Sequence, residues 1–302
     1  MKRKRIKHRL EYWLAFSLCF LARLLPYRLA LFLGEILGDI TFQVIKFRRG
    51  VALKNLRLCF KEKSPAELKR IGKRTYRNIG KSFVEYALFP RLDRQRISEM
   101  VELKHAEYLD QALKRGKGVI LLAGHFGNWE LMAAAVARRT GHPVDVLVRE
   151  QHNPLTDRLM NQYRRMMGSG IIKAGTSAKG VVRALKQNRL VAMLSDQDAG
   201  KHGVLVDFFG YPASTPKGPA AFSLHTQAPI IMAFIIRDKR KKQKVLLKRL
   251  DLTQNTGAKE EDIRRITQKY TSILESYIRK YPDHWYWIHR RWKSTLPKWK
   301  KY

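Results

Sequence analysis

The chain has 302 residues, 45% of them hydrophobic, so it can bury a substantial core as one large domain or two small ones. It carries 61 Lys and Arg against 25 Asp and Glu, a formal charge of +36, which requires an anionic partner: nucleic acid, an anionic lipid surface, a phosphorylated substrate or an acidic protein. Two cysteines, Cys19 and Cys59, without a CxxC pair or a nearby histidine, exclude a disulfide framework and offer no thiolate metal site.

The N-terminus opens with Lys2, Arg3, Lys4, Arg5, Lys7 and Arg9, followed by an uncharged run from Tyr12 to Ala22. As a helix that run is about 17 Å long, short of the roughly 30 Å of bilayer hydrocarbon. The longer stretch Leu10 to Leu33 has a spanning length, but Glu11, Arg23, Pro26 and Arg28 interrupt it. The run meets Arg23 without a small-residue cleavage site, so the segment reads as retained rather than as a signal peptide. Basic residues followed by Tyr12, Trp13 and Tyr27 suit an anchor lying in the interface of the cytoplasmic leaflet, with a full span as the alternative. Residues 1–47 are therefore read as a membrane-anchor region and 48–302 as the folded domain.

Helical spacing dominates from about residue 10 to 115, with Leu29–Leu33 and Ile36, Leu37 and Ile40 on apolar faces. Ser64-Pro65 with Glu67 predicts an N-cap, a first-turn proline and an early acid, opening a helix that runs to Lys81 or beyond. After Gly116-Lys-Gly118 the pattern changes. Val119–Ala123, Val144–Val148, Gly170–Lys173 and Leu190–Leu194 are short apolar runs of the kind that form buried strands. Helical stretches separate them at Leu131–Arg139, Asn153–Met167 and Ala178–Gln187, and another follows at Pro219–Thr226. Pro229–Ile236 and Lys244–Leu250 read as a closing pair of strands around the basic loop Arg237–Lys244, and a last helix covers Glu261–Lys280. This alternation predicts an α/β fold: a mixed, mostly parallel sheet flanked by helices, behind an N-terminal helical membrane-associating region.

His125 follows the first apolar strand, at the carboxyl end where open α/β sheets place their sites. Gly124 and Gly127 allow a tight turn, Asn128 can cap the next helix, and Glu130 falls in its first turn. A carboxylate on one imidazole nitrogen fixes the tautomer and leaves the other nitrogen free to take a hydroxyl proton, a role this pattern gives to Glu130. The spacing alone suits a hydrogen-bonded core histidine equally well. There is no HExxH motif or second histidine at metal-ligand spacing from His125, no Gly-x-Ser-x-Gly elbow and no P-loop spacing.

The segment Gly124-His-Phe-Gly-Asn-Trp-Glu-Leu131 is similar to the His-x4-Asp/Glu box of glycerolipid acyltransferases. Further segments match in order: Asn55-Leu56, Tyr76-Arg-Asn-Ile-Gly80, Arg149–Pro154, Ser195-Asp-Gln-Asp198, Val206–Gly210, Pro212-Ala, Thr215-Pro-Lys-Gly218 and Trp285–Trp292. Together they resemble the late (secondary) lipid A biosynthesis acyltransferase family over nearly the whole chain. The resemblance implies transfer of a fatty acyl chain from a thioester, usually on acyl carrier protein, to a hydroxyl of a glycolipid, here a lipid A precursor. His125 would be the general base and Glu130 its partner, with no cofactor and no metal. Arg164 is the best match to a family arginine that contacts substrate, and Arg149 the second; a surface salt bridge is the competing role for either. Asn128, Asp196, Asp198 and Lys217 complete the candidate substrate contacts, with a structural role equally open for the two aspartates. Implied partners are acyl carrier protein, a glycolipid acceptor and an anionic membrane surface, at the inner membrane with the site facing the cytoplasm. A phosphatidylinositol mannoside is the alternative acceptor. A rival class, a basic nucleic-acid-binding protein, draws only on the charge and on Trp285, Trp287 and Trp292, which could instead sit at a membrane interface or close over the site.

Overall fold

The computed structural model describes residues 2–174, 177–238, 242–252 and 257–296. Pro26 separates two N-terminal helices, α1 (Lys2–Leu24) and α2 (Tyr27–Ile40), and a π-helical turn, Thr41–Ile45, leads into α3 (Arg49–Cys59). Helix α4 (Pro65–Ala87) starts with the expected capping box: the Ser64 side chain accepts from the Glu67 N–H, and the Glu67 carboxylate accepts from the Ser64 N–H. Helices α2 and α4 meet backbone to backbone. A Cβ on Gly80 would overlap the Gly34 carbonyl, and one on Gly38 the Tyr76 carbonyl, so only glycine permits this approach.

The sheet is built from β1 (Val101–Lys104), β2 (Val119–Ala123), β3 (Val144–Val148), β4 (Ser169–Lys173), β5 (Leu190–Leu194), β8 (Ile230–Arg237) and β9 (Gln243–Arg249). Its order is β1-β9-β8-β2-β5-β3-β4. The pair β8–β9 is antiparallel and the other neighbours are parallel, so β1 and β9 run against the remaining strands. An antiparallel hairpin, β6 (Val204–Phe208) and β7 (Tyr211–Thr215), stands apart from the sheet. The helices α5 (Arg94–Met100), α6 (Glu107–Leu113), α7 (Trp129–Thr140), α8 (Pro154–Met166), α9 (Ser177–Lys186), α10 (Gly218–Thr226) and α11 (Lys259–Lys280) complete the chain.

Both sheet faces are covered, which is why β2 is apolar throughout. Ile120 and Leu122 enter the core under α3, α4, α9, α10 and α11, while Val119, Leu121 and Ala123 enter the core under α5, α6, α7 and α8. The mixed, mostly parallel sheet agrees with the sequence reading. Two features depart from it. Strand β1 lies in the stretch read as helical, because a four-residue edge strand with one fully buried residue, Val101, leaves little period-two signal. Hairpin β6–β7 was not anticipated either; its twist rests on Phe209 and Gly210, both at positive φ.

Trp285, Trp287 and Trp292 are fully buried and pack against Phe208 and Phe60, so they are available neither to nucleotides nor to a membrane interface. Exposed apolar side chains gather instead on α1, α2 and the turn after them, including Trp13, Leu14, Phe20, Phe32, Leu37 and Ile45. Among the described residues no helix is long and apolar enough to cross a membrane. The loop between β8 and β9 includes residues 239–241, which lie outside the described residues.

Candidate active site

Strands β2 and β5 are parallel neighbours with Ala123 opposite Leu194. Two residues beyond each, at the carboxyl end of the sheet, stand His125 and Asp196. Adjacency and register thus bring together groups 71 residues apart in sequence: His125 Nδ1 lies 2.7 Å from Asp196 Oδ1. Asp196 Oδ2 accepts from the His125 backbone N–H at 2.8 Å and from Trp285 Nε1–H at 2.8 Å. Burial alone would disfavour the carboxylate, but the adjacent His125 and these donors outweigh it and bring Asp196 down to about 2. A carboxylate can only accept, so Nδ1 carries the proton and Nε2 presents its lone pair. The Gln197 side-chain nitrogen lies 3.3 Å from Nε2. His125 is partly open to solvent, with Trp129 edge-on at 5.0 Å between ring centroids and Tyr286 at 5.9 Å.

The loop carrying His125 is clamped by the C-terminal segment. Tyr286 N–H donates to the His125 carbonyl at 3.0 Å, Gly127 N–H to the His284 carbonyl at 2.7 Å, and Phe126 bridges Trp285. Gly127 sits at φ +60°, and a Cβ there would overlap the Ile235 carbonyl, so no other residue fits. Of the possible positions for the aromatic tail, the molecule adopts the one over the site.

Glu130 does not orient His125. Its side chain leaves the first turn of α7 towards α8, where Arg164 holds it in a two-pronged pair: Nε to Oε2 at 3.0 Å and Nη2 to Oε1 at 2.5 Å. Arg164 Nη1 also donates to Asn161 Oδ1 at 2.8 Å. Burial disfavours the guanidinium charge, and the Glu130 hydrogen bonds overcome this and raise Arg164 above its ordinary value. A fork engaged in this way is not a free phosphate ligand.

Asn128 is likewise committed to the fold. Its carbonyl oxygen accepts from the Leu131 N–H at 3.1 Å, and its amide donates to Glu85 Oε2 at 2.7 Å. It is buried and caps α7, so the expectation that it binds substrate is replaced by a structural role. Asp198 accepts from the Ser294 hydroxyl, and its backbone N–H donates to His289 Nε2 at 2.9 Å. Arg149 and Lys217 are exposed, and neither side chain has an ion-pair partner among the described residues.

Sequence reasoning missed Glu85. It is fully buried on α4 and accepts from Tyr27 Oη (2.7 Å), Asn128, Gln243 (2.9 Å) and both terminal nitrogens of Arg237 (2.8 and 2.6 Å). Burial opposes its charge, but Arg237 and these donors hold it below the ordinary glutamate value. The available signal was an acid alone inside the apolar run Phe83-Val-Glu-Tyr-Ala-Leu-Phe89. Gln197 went unassigned for a different reason: side-chain direction just past a strand cannot be read from spacing.

Residues 1–294 match a family described as bacterial lipid A biosynthesis acyltransferase. Similar proteins include the lipid A biosynthesis palmitoleoyltransferase of Escherichia coli (strain K12), 25% identical over 284 residues, covering 93% of this chain and 90% of that one. The lipid A biosynthesis lauroyltransferase of the same organism is 24% identical, covering 93% and 91%. A phosphatidylinositol mannoside acyltransferase of Mycobacterium tuberculosis (strain CDC 1551 / Oshkosh) is 24% identical, covering 72% and 69%.

Proposed function

The chain belongs to the bacterial lipid A biosynthesis acyltransferase family, and on that premise we propose that it moves a fatty acyl chain from the thioester of acyl carrier protein to a hydroxyl of a lipid A precursor. The observation that carries the mechanism is the 2.7 Å bond from His125 Nδ1 to the buried Asp196. It fixes the imidazole so that Nε2 is the base. Nε2 takes the proton of the acceptor hydroxyl as its oxygen attacks the thioester carbonyl. The tetrahedral oxyanion collapses, the carbon–sulfur bond breaks, and the imidazolium returns the proton to the departing thiolate. Asp196 stabilises the transient imidazolium without taking its proton. The Gln197 amide, 3.3 Å from Nε2, is placed to donate to the oxyanion once a hydroxyl occupies the base.

In this reading Glu130 acts as a positioning residue. Its pair with Arg164 ties the first turn of α7 to α8 and so holds Trp129, the residue before it, against the His125 ring. Exposed apolar side chains on α1 and α2, beside the basic N-terminus, support seating of residues 1–47 in the interface of the inner membrane, with the site on the cytoplasmic side. A charge of +36 suits both an anionic bilayer and an acidic carrier protein. Lipid A is preferred to a phosphatidylinositol mannoside as acceptor because relatives named for lipid A align over 86–94% of the chain, against 68–72% for the mannoside relatives.

The test is an in vitro assay with acyl carrier protein thioester and lipid A precursor in mixed micelles, read by mass spectrometry of the lipid. One added acyl chain is expected with the wild type and none with His125→Ala. Full activity in that variant, or acylation of a phosphatidylinositol mannoside alone, would overturn the proposal.

A further inference from the structure

Away from His125, a groove of about 820 Å³ opens between the start of α2, the end of α4 and α5. Leu25, Leu31, Leu88 and Leu92 form its walls, and Arg28, Arg91, Arg96 and Lys242 line it as well. Arg96 is paired with Glu99 at 3.5 Å, whereas Arg28, Arg91 and Lys242 have no ion-pair partner among the described residues. The groove is therefore apolar inside and cationic at its edge, the pattern that recognises an anionic amphiphile. Its lining residues Leu25 and Arg28 come from the same two N-terminal stretches that expose Leu24, Leu29, Phe32 and Leu33.

We propose that this groove binds one bilayer phospholipid with an anionic headgroup. Its phosphate would lie between Arg28 and Arg91, and the upper part of one acyl chain would lie along Leu25, Leu92 and Met100. The volume falls within the range of small-ligand sites and admits a headgroup with the first methylenes of a chain. Guanidinium groups match phosphate oxygens in pairs, so Arg28 and Arg91 together suit the two free oxygens of a phosphodiester. Tyr27, in the groove, donates to Glu85, which in turn accepts from Asn128, so the bound lipid would sit on the same hydrogen-bonded scaffold as the catalytic loop. Only the bilayer as source of the lipid rests on the proposed membrane seating of α1 and α2; binding in the groove does not, and its test is independent of that seating.

The full-length protein is titrated with monomeric dihexanoyl phosphatidylglycerol, with dihexanoyl phosphatidylcholine and inorganic phosphate as comparators, and bound lipid is counted by native mass spectrometry. Saturable binding of one phosphatidylglycerol is expected, weakened at least about ten-fold in Arg28→Gln/Arg91→Gln. The charge-matched control Lys179→Gln/Arg183→Gln on α9 should bind as the wild type does. Equal weakening in both variants would reduce the effect to diffuse charge and overturn the proposal, as would unchanged binding in the groove variant or no saturable binding at all. Inorganic phosphate binding as tightly as the lipid, or displacement of the phospholipid by the acyl acceptor, would assign the groove to a different ligand. Loss of vesicle co-sedimentation with monomeric lipid binding intact would refute membrane seating and leave the groove standing.

Discussion

Replacing Asp196 by asparagine tests the catalytic assignment most directly, because the substitution keeps the shape and removes the charge. Asp196 Oδ2 receives two donors, the His125 backbone N–H and Trp285 Nε1–H, each at 2.8 Å, while Oδ1 receives His125 Nδ1 at 2.7 Å. An asparagine keeps both Oδ2 donors satisfied only by placing its carbonyl there. Its amide then faces Nδ1, which must become an acceptor, and the imidazole proton moves to Nε2. The lone pair that takes the hydroxyl proton is lost while the loop stays in place. Removing the equivalent carboxylate from a histidine base in this way lowers turnover by roughly 10³- to 10⁴-fold. Burial of a hydrogen-bonded charge adds a stability loss of about 1.5–3 kcal/mol. Turnover should be measured with acyl carrier protein thioester at saturating lipid acceptor, alongside near-UV circular dichroism to confirm the fold. Asparagine at 196 with activity within about ten-fold of wild type, when His125→Ala is inactive, would refute the role of Asp196.

Other expectations follow from the same geometry. Glu85→Ala leaves Arg237 buried without its carboxylate and should destabilise the protein by about 3–5 kcal/mol, read as a fall in the denaturation midpoint; a loss under about 1 kcal/mol would mean that water reaches the network. Gly80→Val forces α2 away from α4 and should cost about 1–3 kcal/mol and weaken vesicle co-sedimentation, whereas the same change at exposed Gly50, where an added Cβ meets nothing within 4 Å, should leave co-sedimentation unaltered. Burial holds His289 down to about 4 from its ordinary 6.5, so the unfolded chain takes up this proton at higher pH than the folded one. Its contribution is complete above about pH 6.5 and is lost as the pH falls towards 4, by roughly 3 kcal/mol at most; His289→Gln should flatten the stability profile across that window, and an unchanged profile would rule His289 out.

The alternation of strands and helices was legible because each buried strand is a short apolar run between glycine, proline or polar turns, as at Val119–Ala123 and Leu190–Leu194. His125 was legible for the same reason, since a histidine just past such a run must lie at the sheet's carboxyl end. Its partner was not. Glu130 was the carboxylate nearest in sequence, but the helix it belongs to turns its side chain towards α8. Asp196 becomes a neighbour only through the pairing of β2 with β5, and strand order depends on crossovers that periodicity does not encode. Trp285, Trp287 and Trp292 posed a similar difficulty, because tryptophans beside arginines suit a membrane interface or a nucleic acid as well as a core. Burial separated those roles.

Glu85 and Arg237 suggest why so basic a chain keeps a paired carboxylate in its interior. A buried ion pair is weak evidence of stability, since well-packed apolar residues often do as well. What it provides is direction: each oxygen of Glu85 accepts from fixed donors, and those donors stand on different elements. Tyr27 belongs to α2, Asn128 caps α7, Arg237 ends β8 and Gln243 begins β9. Moving α2 by even an ångström would leave a buried hydroxyl or carboxylate unsatisfied, whereas an apolar contact would tolerate the slip. The helix that exposes its apolar face is thereby held in register with the cap of α7, four residues before which Gly124 turns the chain into His125. Hydrophobic burial holds the sheet together, and this polar knot sets where the outer helix stands relative to the base.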